Sequence, residues 1–503
     1  MDMWSDEVAG LGFSAQTSAV KRYTGIALLV LVVAISCRAE SKLWPDAAAL
    51  EAQGKFKEAA TVLRAARSDK TLDDPSRQNI EFELERLERI RKDYPLTEAT
   101  FFTELKAALR GLTEQEFNAW IAAGWFDARE IDGERRFMIA SVSNLFFRHP
   151  ELNARRLPTK DTTESDRANW EVCLAIQQAA RKEKKPYVLP QHFNAVMTVT
   201  VKADAVPQGA VIRAWLPIPR RYPFQTGFSL RRTSGLFKHL DDELSPIRAV
   251  QFEQSAVRGL PLQFQIDYEY TVCGVSFEIH PDQVRPVNPE DPALKPFLAE
   301  APHLEFSAKM RALSGQIAGG ETNSALLAKK FYDWIAENIQ YSFAREYSTI
   351  RNLGDYCLTK GYGDCGQEAF LFMTLCRLNG IPARWQSGWS LFPGAETIHD
   401  WCEIYLEPYG WVPVDPYKGI WAMRYAPTLK PEQRRVVRDF YFGGLDYYRM
   451  VANGDHNQAL TPPKRSLRSD HVDFQRGELE WGTNNIYFDQ FNYDLKIKAV
   501  ELR

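Results

Sequence analysis

Cysteine is sparse and unpatterned in this chain of 503 residues, with seven at positions 37, 173, 273, 357, 365, 376 and 402. An odd, scattered set without framework spacing argues against a disulfide scaffold and fits a free, working thiol better. No Cys/His spacing of the zinc type and no acidic loop of the calcium type is present, so no metal or other cofactor is expected. A large excess of charge of either sign is missing too. The formal net charge is −3, with no basic stripe, which speaks against a nucleic-acid partner. The apolar run Ile26–Ser36 (IALLVLVVAIS) is too short to span a bilayer as a mature helix.

That run has a different use. Lys21-Arg22 precede it and Ala34-Ile35-Ser36-Cys37 close it, the order of an export signal. The closing tetrapeptide resembles a bacterial lipoprotein cleavage site, with Cys37 as the lipid-bearing residue and a possible membrane attachment. Residues 1–40 are therefore expected to be a signal, and the protein to be exported, as a periplasmic protein or a membrane-anchored lipoprotein. Plain secretion and an uncleaved anchor stay open. The stretch before Lys21 is odd for such a signal, and translation starting at Val20 would explain it.

The remainder is that of a globular protein with ample core material, 45% hydrophobic and 12% aromatic, and its length suggests about three domains. Residues 41–185 read as helical. Trp44–Arg67 looks like one tetratricopeptide-like helix pair or an ordinary helical hairpin, and Ile80–Arg91 like a charge-laced surface helix. Asp132-Gly133 marks a hairpin turn. From 190 to 280 alternating Val-, Thr- and Ile-rich runs such as Phe193–Lys202 and Leu262–Val272 predict an antiparallel β-sandwich. Pro281–Pro302 is a linker. A core follows over 303–440, and 441–503 is an aromatic, strand-rich extension whose rings would line a core or a groove.

The chemistry concentrates in Gly361-Tyr362-Gly363-Asp364-Cys365-Gly366-Gln367-Glu368, followed by His399-Asp400-Trp401 and then Asp415 in Val412-Pro413-Val414-Asp415-Pro416. Nucleophile, base and orienting acid in one short span are what acyl transfer to a thiol needs. The glycines precede an apolar-periodic run, Ala369 to Leu378, that predicts an amphipathic helix ended by Asn379-Gly380-Ile381-Pro382. Cys365 thus falls in a first helical turn. The N–H groups and dipole there favour a thiolate and are placed to receive an oxyanion. His399–Leu406 and Trp411–Val414 predict two strands of a hairpin around Glu407-Pro408-Tyr409-Gly410, with a register that loop length leaves open. Gln367 and Glu368 suit capping and dipole roles. Arg345, Arg351 and Asn352, upstream, are candidates to line the substrate groove or assist the oxyanion. Cys357 reads as a packed residue, with a resolving partner for Cys365 the alternative.

The runs GYGDCGQEAFLFMTLCRLNGIPARWQSGW and HDWCEIYLEPYGWVPVDP resemble the core of the transglutaminase-like superfamily of papain-like cysteine enzymes, over roughly residues 320–420. The resemblance implies that Cys365 is the nucleophile, His399 the general base and acid, and Asp415 the residue that orients His399. It implies an α+β fold in which a papain-type helix packs on an antiparallel sheet, preceded here by the helical region and the β-sandwich. Trp401 would pack beside the triad, while Asp400 and Cys402 depart from the family's small or apolar residues as tolerated variation. The expected activity is cleavage of an amide in a protein or peptide substrate through an acyl-thioenzyme, by a peptidase or amidase of the cell envelope. A cross-linking transglutaminase and a non-catalytic binding module remain alternatives.

Overall fold

A computed structural model describes residues 44–158, 161–393 and 395–500. The expected export signal and Cys37 lie outside these residues. Among the described residues, no helix is long and apolar enough to cross a membrane. The described residues divide into two compact units, the smaller taking 44–84 with Glu130–Glu134 and the larger the rest.

In the described part of the smaller unit, helices Pro45–Ala52 and Phe56–Arg67 form a hairpin around Gly54, whose φ is +78°. The Asp132-Gly133 turn has both residues at positive φ, as a tight hairpin of this kind requires. Its Asp132 side chain accepts from the Lys57 N–H at 2.8 Å and its backbone N–H donates to Gly54 O at 2.6 Å.

The larger unit is α+β. Its β-sandwich has two five-stranded antiparallel sheets. One is built on Tyr187–Val201 and Leu262–Ser276, the other on Val211–Pro217 and Ala249–Ser255. Alternate residues such as Met197, Val199, Ile212, Leu216, Phe264 and Ile266 fill the space between them. Strands between residues 478 and 500 belong to this layout. Phe491–Val500 pairs with Tyr187–Val201 and Glu478–Trp481 with Val211–Pro217, so these late strands extend both sheets.

The other layer is a four-stranded antiparallel sheet in the order Gly410–Val414, Thr397–Leu406, Ala383–Ser390, Arg449–Asn453. Against it packs the helix Cys365–Leu378. The periodicity of that helix suggests an amphipathic element. In the structure every residue from Gly366 to Arg377 is buried, because helices also cover the face turned away from the sheet. Two of its polar residues find partners inside. Thr374 donates to Phe370 O at 2.7 Å, and Arg377 to Ala383 O and Ala299 O at 2.9 and 2.8 Å. The helix ends as expected, with Gly380 at φ +71° and the Ile381 N–H reaching back to Cys376 O.

Gly388 joins this sheet to the chemistry. It lies opposite His399 on one side and Val451 on the other, at a register shift. A Cβ there would fall 1.8 Å from the carbonyl oxygen of Met450, which is backbone and has no rotamer to escape into. Gly388→Ala is therefore expected to lower unfolding stability by about 1–3 kcal/mol, read as a lower denaturation midpoint. An unchanged midpoint would contradict the close packing of the Arg449–Asn453 strand.

Candidate active site

Cys365 is the first residue of its helix, and Asp364 is the N-cap. The Asp364 carboxylate accepts from Gln367 N–H at 3.3 Å, while the Gln367 side chain accepts from Asp364 N–H at 3.4 Å, a reciprocal capping box. Gln367 has the capping role its place suggests. Glu368 does not: both its carboxyl oxygens are buried with no hydrogen-bond partner among the described residues. Burial, with Asp364 and Asp415 nearby, pushes that carboxyl well above its ordinary range.

His399 stands on the Thr397–Leu406 strand and Asp415 just beyond the Gly410–Val414 strand. The register Cys402↔Val414 settles their placement. Asp415 is not a strand residue but the N-cap of the helix Pro416–Arg424. Its Oδ1 accepts from Lys418 N–H at 3.1 Å, and its Oδ2 lies 2.8 Å from His399 Nε2. The imidazole is held further by Trp401, stacked at 5.7 Å, and by the edge of Tyr417 at 5.2 Å. The Trp401 indole N–H is fixed by Gln386 Oε1 at 2.6 Å.

One residue that sequence reasoning missed sits at the centre of this arrangement. Arg449, fully buried, donates to the same Asp415 Oδ2 at 2.8 Å and to Asp446 Oδ2 at 2.9 Å. Its guanidinium also lies over the Trp401 ring at 4.9 Å. Burial alone would raise the Asp415 pKa, but His399 and Arg449 together hold it well below the carboxylate range. Burial, and then the cationic Arg449, lower the His399 pKa despite its bond to Asp415. An ionised Asp415 takes a hydrogen from Nε2, so the neutral imidazole presents Nδ1 as the basic nitrogen.

The thiol of Cys365 is bonded elsewhere. Among the described residues no hydrogen bond joins it to His399; its recorded partner is Asp400 Oδ2, at 3.5 Å. Asp400, read from the sequence as tolerated variation, is thus in contact with the nucleophile candidate. Tyr347 donates to Asp364 Oδ1 at 2.6 Å and approaches Asp400 Oδ2 at 3.2 Å, while accepting the Gly366 N–H at 3.1 Å. Gln475 donates to the other Asp400 oxygen. Burial, then Asp400 and Asp364, push the Cys365 thiol well up. The helix terminus predicts a favoured thiolate; burial, and after it the Asp400 and Asp364 carboxyls, act against it.

The remaining candidates have structural employment. Arg345 is buried and donates to Thr349 O, Arg351 pairs with Glu305, and Asn352 caps the helix Leu353–Lys360 through Asp355 N–H. Cys357 and Cys402 are buried free thiols, the latter donating to Val414 O at 3.3 Å. Cys365 and Tyr417 are partly exposed, so the reactive edge of the site meets solvent. No His/Cys/Asp/Glu group among the described residues is arranged to hold a metal ion.

The site thus combines a helix-borne cysteine with a strand-borne His–Asp pair, the residue types that thiol-dependent acyl transfer uses. Residues 311–416 match the profile of the transglutaminase-like superfamily, and this stretch is a transglutaminase-like domain. A curated protein of Haemophilus influenzae, described only as uncharacterized, is 26% identical over 181 residues. That match takes in 30% of this chain and 47% of the relative, so the chain covers less than half of the relative's length. Among solved structures, a candidate cysteine protease from Cytophaga hutchinsonii is 16% identical with a TM-score of 0.41, over 63% of this chain and 93% of that one. The periplasmic domain of TgpA from Pseudomonas aeruginosa is 12% identical with a TM-score of 0.24, over 52% and 95% of the two chains.

Arg449→Met would leave Asp415 and Asp446 buried without their shared cation. It is expected to cost about 3–5 kcal/mol of stability, measured by chemical denaturation. A loss below about 1 kcal/mol would mean that the ion pairs do not hold Asp415.

Proposed function

We propose that this protein is a cysteine-dependent acyl-transfer enzyme that hydrolyses amide bonds, a peptidase or amidase of the cell envelope. The observation that carries the reading is the His399 Nε2–Asp415 Oδ2 bond of 2.8 Å, in the sheet against which the Cys365 helix packs. It fixes an imidazole whose second nitrogen is free to take a thiol proton.

In this mechanism His399 Nδ1 accepts the Cys365 proton as sulfur attacks the substrate carbonyl carbon. The tetrahedral oxyanion forms by the N–H of Cys365 at the start of its helix, since the N–H groups of Gly366 and Gln367 already bond Tyr347 and Asp364. The imidazolium, stabilised by Asp415, returns its proton to the departing nitrogen, leaving an acyl-thioester on Cys365. Water, activated by the same imidazole, then releases the acid. Envelope placement rests on Lys21-Arg22, the apolar run Ile26–Ser36 and Cys37 as a lipid acceptor.

Purified protein offered a mixture of peptide amides should show hydrolysis that falls about 10³-fold or more in Cys365→Ala and His399→Ala, and nearly as far in Asp415→Asn. An added primary amine should leave free acid as the main product. Activity that survives Cys365→Ala would overturn the reading, and dominant incorporation of the amine would make the enzyme a cross-linking transferase instead.

A further inference from the structure

Asp400 and Asp364 lie on either side of one phenol. Tyr347 has a single hydroxyl hydrogen, and Asp364 is the nearer acceptor, at 2.6 Å against 3.2 Å for Asp400. Asp400 Oδ2 therefore depends on its other neighbour, the Cys365 thiol at 3.5 Å, while Gln475 secures its Oδ1. Asp400 is itself 3% exposed, so water does not replace these donors.

We propose that Asp400 is a positioning residue for the nucleophile: its Oδ2 accepts the Cys365 S–H, keeping the sulfur protonated and turned from His399 until a substrate acyl group arrives. No bond to Asp400 is made or broken. When the sulfur turns, its proton passes to Nδ1 of His399 and the electron pair goes to the carbonyl carbon. The inference rests on the reading of Cys365 as nucleophile.

Two acids this close share protons: once the carboxyl is ionised, a thiolate beside it is opposed. The surroundings reinforce this. From the nucleophile helix, Asp364 and Glu368 act on the sulfur, as does Asp400 from the strand. Tyr341 and Tyr417 are further ionisable neighbours of Cys365, each itself held neutral by burial. From the C-terminal segment, Asp470 acts on Asp400, and Asp400 on Asp473. Arg476 lies 3.3 Å from Asp470, a cation already engaged with an acid of its own segment. His399, next along the strand, is committed to Asp415. The site holds its nucleophile quiet by acidity, a useful property for a thiol in an oxidising compartment.

The test is alkylation of the full chain by iodoacetamide across pH 5–10, with modification at Cys365 followed by mass spectrometry. Asp400→Asn should move the midpoint down by about one pH unit and speed modification at pH 7 about tenfold. Tyr347→Phe, which removes the one hydroxyl the two carboxyls share, should slow it. Thermal unfolding of each variant identifies any that fails to fold. An unchanged or slower reaction in folded Asp400→Asn overturns the proposal. Trapping of an acyl-thioester from peptide amides is scored separately. A shifted midpoint without a trapped thioester sinks the hydrolase reading alone, and a thioester without the shift sinks this proposal alone.

Discussion

The Asp415 carboxylate is the constraint on which the rest of the site depends. It is fully buried and takes donors from three elements: the imidazole of the central strand, the guanidinium of the Arg449–Asn453 strand, and the first turn of the helix it caps. Removing a charge from water is costly, and a buried ion pair adds little net stability over apolar packing. What this cluster supplies is geometry. With Asp415 ionised and locked, the His399 ring has one orientation and one tautomer, and the face of the sheet that meets the nucleophile helix is defined.

Arg449 also sets the electrostatic sign of the site. A permanent cation on the same oxygen that His399 uses makes a second positive charge at the imidazole unfavourable. On the other side, Asp364 and Asp400 make a negative charge at the sulfur unfavourable. Both effects favour a neutral thiol and a neutral imidazole over a thiolate–imidazolium pair. On the proposed reading His399 therefore acts as a general base at the moment of attack, in place of a stored thiolate that the helix terminus alone would suggest.

Much of this was legible in the sequence. The glycine-flanked Cys365, its Asn379-Gly380 stop, the hairpin bearing His399, the Asp132-Gly133 turn and the Val-rich sandwich strands each rest on local propensity or short-range pattern. The Asp364–Gln367 capping box was also there to read, as an Asp three residues before a Gln at a helix start. What escaped depends on contacts distant along the chain. Arg449 and Gln475 reach the site only because the sheet pairs Ala383–Ser390 with Arg449–Asn453 and the C-terminal strands return to the sandwich. No local pattern marks a lone arginine as the partner of Asp415. The nucleophile helix reads as amphipathic yet is buried all round, and Thr374 and Arg377 find partners within the interior rather than in water. Asp400 was discounted because its neighbour across space, the thiol, is set by how the helix docks on the sheet.

The most direct test of this account is nitrogen-15 NMR of the His399 imidazole in the wild-type chain between pH 4 and 9, assigned against His399→Ala. The account predicts a neutral ring at pH 7 with its hydrogen on Nε2, titrating below the ordinary value of about 6.5. An imidazolium at pH 7, or a neutral ring with its hydrogen on Nδ1, would contradict it, because the nitrogen facing the thiol would then have no lone pair to take the proton.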